Sequence, residues 1–224
     1  MKSISCKSKL NVEKLEDRLA LDATSFVTGL YHNLLNRPPD MPGLNFWVAK
    51  INGGESNHDI AQEIWRSAEH RGVEVDNFYL GLLHRPAEPA GRAHWVNQLL
   101  SGVINEQRLE FGFVTSGEYF SQHPTSQAYV DGLYIDLLGR APTFGEETFW
   151  IAQVNISGAA AVANAIGGSA EANTLVVTDD YLTYLGRTPD KNGLAHWVNQ
   201  LLTGKGTESV AESILGSAEY AAKH

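Results

Sequence analysis

Apolar residues recur along this chain at the three-and-four spacing of a helix with one buried face, and they do so in the same order four times. The first copy reads Phe26, Val27, Leu30, Tyr31, Leu34 and Leu35; the second, Val75, Phe78, Tyr79, Leu82 and Leu83; the third, Val130, Leu133, Tyr134, Leu137 and Leu138. The fourth keeps Val177, Tyr181, Tyr184 and Leu185 but places Asp180 where the others are apolar. Each stripe closes on a cation, Arg37, Arg85, Arg140 or Arg187, six residues after its tyrosine. The helix dipole favours a positive charge there. Pro39, Pro86, Pro142 and Pro189 then end the helix.

A second helix is predicted after Asp40, Glu88, Thr143 and Asp190, three residues past each arginine. Asp and Thr cap a helix well through their side-chain oxygens, and Glu88 caps less well. Gly43, Gly91 and Gly193 follow six past the arginine, where the pattern predicts a close approach by another backbone. Trp47-Val48, Trp95-Val96, Trp150-Ile151 and Trp197-Val198 come next, with Ile51, Leu99, Val154 and Leu201 on the same face. Gly53, Gly102, Gly158 and Gly204 end this helix.

A third helix is predicted to end in Ser-x-Glu, at Ser67/Glu69, Ser116/Glu118, Ser169/Glu171 and Ser217/Glu219. Seven and three residues before each serine stand Ile60 and Ile64, Leu109 and Phe113, Val162 and Ile166, and Val210 and Ile214, again one face. The fold class is therefore all-α: four tandem three-helix repeats of about 50 residues each. From Ser67 to Tyr79 and from Ser169 to Tyr181 is 12 residues, but from Ser116 to Tyr134 is 18. The excess falls in the polar stretch Ser121–Ser126. It predicts a leader at 1–24, a lobe of repeats 1 and 2 at 25–120, a linker at 121–127 and a lobe of repeats 3 and 4 at 128–224. Repeat 3 departs most: Thr143 replaces the acid, Gly145 comes one residue early, and Ala159-Ala160-Ala161, Gly167 and Gly168 weaken the third helix. Weak packing or a close approach by another repeat would account for that.

Composition narrows the function. With 43% hydrophobic residues the 224-residue chain can build a core. Its net charge of -9, with no basic run after residue 24, argues against a nucleic-acid or membrane-surface partner. No apolar run reaches transmembrane length. Cys6 is the lone cysteine, so no disulfide forms within the chain.

Val12-Glu13-Lys14-Leu15-Glu16-Asp17-Arg18-Leu19-Ala20-Leu21-Asp22 resembles the Leu-Glu-x-Arg-x-Leu motif of exported planctomycete-type proteins, which implies an extracellular or cell-surface location. Leu-Gly-Arg-Thr-Pro-Asp-Lys-Asn-Gly-Leu-Ala-His-Trp-Val at 185–198 resembles the signature of a bacterial family catalogued as a domain of unknown function, number 4214. Leu215-Gly216-Ser217-Ala218-Glu219-Tyr220 is similar to that family's Ser-x-Glu-aromatic ending. The resemblance implies a helical module of secreted or surface proteins, somewhat like phycobilisome linker domains. It brings no activity or ligand.

The candidate residues are the repeated ones: Tyr31, Arg37, Asp40 and Trp47; Tyr79, Arg85, Glu88 and Trp95; Tyr134, Arg140 and Trp150; Tyr181, Arg187, Asp190 and Trp197. As structure, each Arg bonds the following loop, with Asp40, Glu88 or Asp190 as its charged partner, and each Trp fills the core. As function, exposed Trp faces with Arg and Asp donors would bind sugar. His94 and His196 stand where Phe46 and Phe149 stand in the other copies, so packing is expected there rather than a metal. The repeated serines lack a nucleophile elbow and read as caps. No catalytic residue, cofactor or metal is expected. The reading is a non-catalytic structural or interaction module whose partner is an envelope or matrix protein or polysaccharide. A carbohydrate-binding module is the alternative, and an enzyme of unrecognised type the third. A row of exposed Trp and Arg would favour sugar; a cleft of buried carboxylates would favour the enzyme.

Overall fold

The structure, a computed structural model, describes residues 22–224. The export-type motif at 12–22, save its last residue, and Cys6 lie outside the described residues. Every regular element among the described residues is helical. Repeat 1 contains α1 (residues 22–35), α2 (Met41–Asn52) and α3 (Asn57–Trp65); repeat 2 contains α4 (Ala68–Leu83), α5 (Pro89–Leu100) and α6 (Glu106–Val114). Repeat 3 contains α7 (Gly117–Gln122), α8 (Ser126–Leu138), α9 (Phe144–Ser157) and α10 (Ala159–Gly167). Repeat 4 contains α11 (Ala170–Asp180), which widens into a π-helical turn (Tyr181–Leu185), then α12 (Lys191–Leu202), α13 (Glu208–Leu215) and α14 (Ala218–Lys223).

The caps explain the register. Asp40 accepts from the Gly43 N–H, Asp190 from the N–H groups of Asn192 and Gly193, and Thr143 forms a reciprocal capping box with Glu146. Glu88 makes no side-chain cap bond, as its length predicts. One boundary needs correcting. Ser67, Ser116, Ser169 and Ser217 do not close the third helix. Each accepts the N–H of His70, Tyr119, Ala172 or Tyr220 three residues on and so opens the next helix. The glutamate of Ser-x-Glu thus sits in a first turn, where the dipole favours it. In α4 and α11 the new helix runs on as the next repeat's first helix. Before repeat 3 the six extra residues break it into α7 and α8, with Thr125 capping the restart.

The chain does not divide at 121–127. Among the described residues one compact unit comprises 22–70, 183–185 and 212–224, and the other 71–182 and 186–211. In the second unit one buried cluster runs from Val75, Tyr79 and Leu83 through Phe113 and Tyr119 to Tyr129, Leu133, Ile166 and Ala172. The α7–α8 break lies within that core because the rings on either side hold it: Tyr119 and Tyr129 meet edge to face at 5.9 Å, and Tyr129 donates to the Val114 carbonyl. In the first unit α1 and α14 share a core. The Phe26 and Tyr220 rings lie 5.9 Å apart, and Asn33 donates to the Tyr220 hydroxyl at 2.8 Å. There the buried Glu212 accepts from Gln62 and Arg66.

Candidate functional site

Two arrangements of polar side chains stand out, and the first is repeated. The residue before each signature arginine has a left-handed backbone: Asn36 at φ 53°, His84 at 54°, Gly139 at 65° and Gly186 at 62°. That turn brings the guanidinium back over the tyrosine ring six residues earlier, at 5.0 Å for Arg37–Tyr31, 4.9 Å for Arg85–Tyr79, 5.0 Å for Arg140–Tyr134 and 5.2 Å for Arg187–Tyr181. A terminal nitrogen donates to the next residue's carbonyl, on Pro38, Pro86, Ala141 and Thr188.

The expected partners Asp40 and Glu88 do stand beside their arginines, and a further glutamate, absent from the sequence expectation, grips three of the four. Arg37 grips Glu69 through two nitrogens at 2.5 and 2.9 Å, Arg85 grips Glu118 at 2.5 and 2.7 Å, and Arg140 grips Glu171 at 2.5 and 2.8 Å. Asp40 stands 3.6 Å from Arg37, Glu88 adds a second carboxylate to Arg85, and Asp190 caps α12. In repeat 3, which has Thr143 instead of an acid, Glu146 supplies the second carboxylate to Arg140 at 2.7 and 3.0 Å. The guanidinium hydrogen bonds hold Glu69, Glu118 and Glu171 below the usual carboxylate range and bring Glu146 down to about 2. The Ser-x-Glu glutamates carried a signal that sequence reasoning missed. They stand 32, 33 and 31 residues after their arginines.

The tyrosines are buried and the signature tryptophans half-buried. Trp47 and Trp150 donate their indole N–H to the hydroxyls of Tyr31 and Tyr134 at 3.0 and 2.9 Å. Trp95 stacks on Phe113 at 5.6 Å. The tyrosine hydroxyl also explains the early glycines, where a neighbouring backbone had been expected. A Cβ at Gly43 would meet the Tyr31 oxygen at 2.7 Å, and one at Gly91 would overlap both the Glu88 carboxylate and the Tyr79 hydroxyl. Outside each Trp lies an exposed ring, Phe46, His94, Phe149 or His196, set edge-on at 4.9 to 5.1 Å. The signature is thus internally bonded, and it leaves few free donors for a sugar.

The second arrangement is a cleft in the second unit, formed by two adjoining chambers of about 490 and 530 Å³. Both are lined by Glu110, Asp136 and Asp179, and the larger also by Glu74, Glu106 and Asp180. Arg71, itself buried, bonds Glu74 and Glu106 at 2.7 Å each, and Asp136 accepts from the Tyr119 hydroxyl at 2.7 Å. Burial raises Glu110 to about 7. Burial first, then repulsion from Glu106, raises Glu74 and Asp180 as well. One of the notable small residues of repeat 3 belongs to this place: Gly167 lines one chamber, and a Cβ there would lie 3.5 Å from Leu137 and 3.8 Å from Glu110. Among the described residues no group of three His, Cys, Asp or Glu is placed to hold a metal ion, and no helix is long and apolar enough to cross a membrane.

Comparison with known proteins follows the same geography. A family model described as a domain of unknown function (DUF4214) matches residues 10–73, 75–123 and 173–224. The unmatched stretch is most of repeat 3, the copy with a restarted first helix and no acid at Thr143. No curated protein and no solved structure matches the chain.

Proposed function

The chain belongs to the family described as a domain of unknown function (DUF4214), and from that premise we propose that it is a non-catalytic interaction module of an exported bacterial surface or matrix protein. The observation that carries this reading is the outer surface of the second helices. No exposed residue of α2, α5 or α9 is Asp, Glu, Lys or Arg, in a chain whose net charge is -9. On α2 these include Met41, Asn45, Phe46 and Ala49; on α9, Phe144, Thr148, Phe149, Ala152 and Ile156. Phe46 is 55%, Phe149 54% and Phe144 84% exposed. Uncharged faces with projecting aromatic rings suit docking against a partner, and the signature beneath them holds each ring's neighbouring Trp in place. The partner class is an envelope or matrix polymer, protein or polysaccharide.

Full-length chain should bind isolated envelope or extracellular matrix saturably. Phe46→Glu and Phe149→Glu should abolish that binding while leaving the unfolding temperature nearly unchanged. Binding that survives both substitutions would refute the docking role of these faces. The cleft of carboxylates is the observation favouring a second reading, an acid–base enzyme. Against it, the lining residues combine like groups pushed the same way, whereas acid–base pairs are usually pushed apart.

A further inference from the structure

Among the described residues the helices form one series used twice, α1 to α7 and then α8 to α14. The helices opened by Ser67 and Ser169 run on into the next repeat as α4 and α11, whereas those opened by Ser116 and Ser217, α7 and α14, are short. Both short helices pack in the same way. Tyr119 of α7 and Tyr220 of α14 stand three past their serines, where α4 and α11 have His70 and Ala172. Tyr119 meets the Tyr129 ring of α8 at 5.9 Å and 80°, and Tyr220 meets the Phe26 ring of α1 at 5.9 Å and 82°. The Tyr119 hydroxyl donates to Asp136 at 2.7 Å, and the Tyr220 hydroxyl accepts from Asn33 at 2.8 Å. Tyr129 and Phe26 stand five before their signature tyrosines, and Asp136 and Asn33 two after. Each short helix is followed by a histidine, His123 or His224, whose ring lies 4.2 or 4.4 Å from the tyrosine. Each histidine covers a glycine: a Cβ at Gly132 would meet the His123 ring at 2.5 Å, and one at Gly29 the His224 ring at 2.6 Å. The two joints share ring geometry, hydrogen bond and glycine seat.

They differ in what holds their two sides together. Tyr119 and Asp136 are 17 residues apart, and the chain passes from α7 to α8 through His123, Pro124 and Thr125. Asn33 and Tyr220 are 187 residues apart, so no short connection ties α14 to α1. The lighter side of that joint is α14. Tyr220 is its one buried residue, whereas α1 buries Phe26, Val27, Leu30, Tyr31, Leu34 and Leu35. Only Gly216 and Ser217 separate α14 from α13, and a change in their backbone angles is enough to swing the helix out.

We propose that α14 seats on α1 of a second copy of this chain as well as on its own, linking copies through the joint that α7 and α8 make within one. Exchanging an identical element replaces each lost contact by the same contact, so the main cost is the entropy of association. Closure within one chain competes at an effective concentration on the order of millimolar, and copies therefore link where they are crowded. This surface is separate from the docking faces of α2, α5 and α9.

The test is refolding of the full chain at about 1 mM and at about 10 µM, with the mass read by sedimentation at the same concentrations. Dimers are expected at the higher concentration and monomers at the lower. Gly29→Leu blocks the seat and Tyr220→Ala removes the ring, so either should cut the dimer fraction at least about tenfold. Mixed one to one, these two variants should pair, because the intact α14 of the first fits the intact α1 of the second. Should either fail to fold, Asn33→Ala removes only the hydrogen bond to Tyr220 and should still lower the dimer fraction. Phe149→Glu, on a docking face, should leave it unchanged. Monomers alone at the higher concentration, dimers that persist in Gly29→Leu, no pairing in the mixture, or loss of dimers in Phe149→Glu would each overturn the proposal.

Discussion

The carboxylates of the repeat signature and those of the cleft belong to one chain and are driven in opposite directions. Glu69, Glu118 and Glu171 lie at the surface, each gripped by an arginine that keeps it ionised. Glu110 and Asp180 stand half-buried in the cleft wall with no arginine on them, and desolvation there favours the protonated form. The first set contributes to holding each repeat together; the second set opposes folding at neutral pH. Positions that repeat faithfully are accounted for by assembly, whereas Glu110 and Asp180 depart from the apolar residues of the other repeats and work against it.

The largest effect that would break this comparison concerns the tryptophans. Trp95→Ala removes a ring stacked on Phe113 and should cost about 3 kcal/mol in denaturant unfolding. A cost below about 1 kcal/mol would mean that the signature is not what holds repeat 2 together.

Glu110→Ala should act with the opposite sign. The folded-state pKa of Glu110 lies above its unfolded value, so folding favours its protonated form. The resulting cost is absent below about pH 4, grows as the pH rises toward 7, and is complete above it. The variant should therefore gain about 1–3 kcal/mol at pH 8 and little at pH 4. A variant less stable than the natural chain at pH 8 would show that the carboxylate is paired after all.

Arg85→Ala should lower the unfolding temperature by less than Trp95→Ala, because both Arg85 and Glu118 are partly exposed and screened. Its effect should shrink as the pH falls through the depressed range of Glu118, since a carboxylate lowered by folding stabilises only while ionised. Smallest of all, His84→Gly should gain about 0.5–1 kcal/mol, because His84 holds the left-handed φ of 54° that Gly139 and Gly186 adopt without strain. A loss of stability there would imply a side-chain role for His84.

Much of the fold was legible because helices carry their period in the sequence. The apolar stripes, the caps at Asp40, Thr143 and Asp190, and the buried signature tyrosines follow from local chemistry. The Ser-x-Glu motif was misassigned for a physical reason. A serine after an apolar stripe can end one helix or cap the next, and only the bond to the N–H three residues on decides. The Arg–Glu ties were harder to see, because an acid three residues from Arg37 competes in any local reading with Glu69 at 32. The loop at 121–127 announces a break in the chain, but the rings of Tyr119 and Tyr129 carry the core past it. Of the cleft, only Asp180 stood out as a polar residue in an apolar stripe. Glu110 and Glu74 stay hidden until the repeats are aligned on their serines and tyrosines, and nothing local says that they converge.

The contrast between the two sets of carboxylates can be measured site by site, by following the glutamate side-chain carbons of the full chain by NMR as the pH is changed. Glu110 should titrate near 7 and Glu118 below the ordinary glutamate value. If both instead titrate together near 4, the usual value for an exposed glutamate, the cleft does not favour a protonated Glu110 and the two sets of carboxylates do not differ.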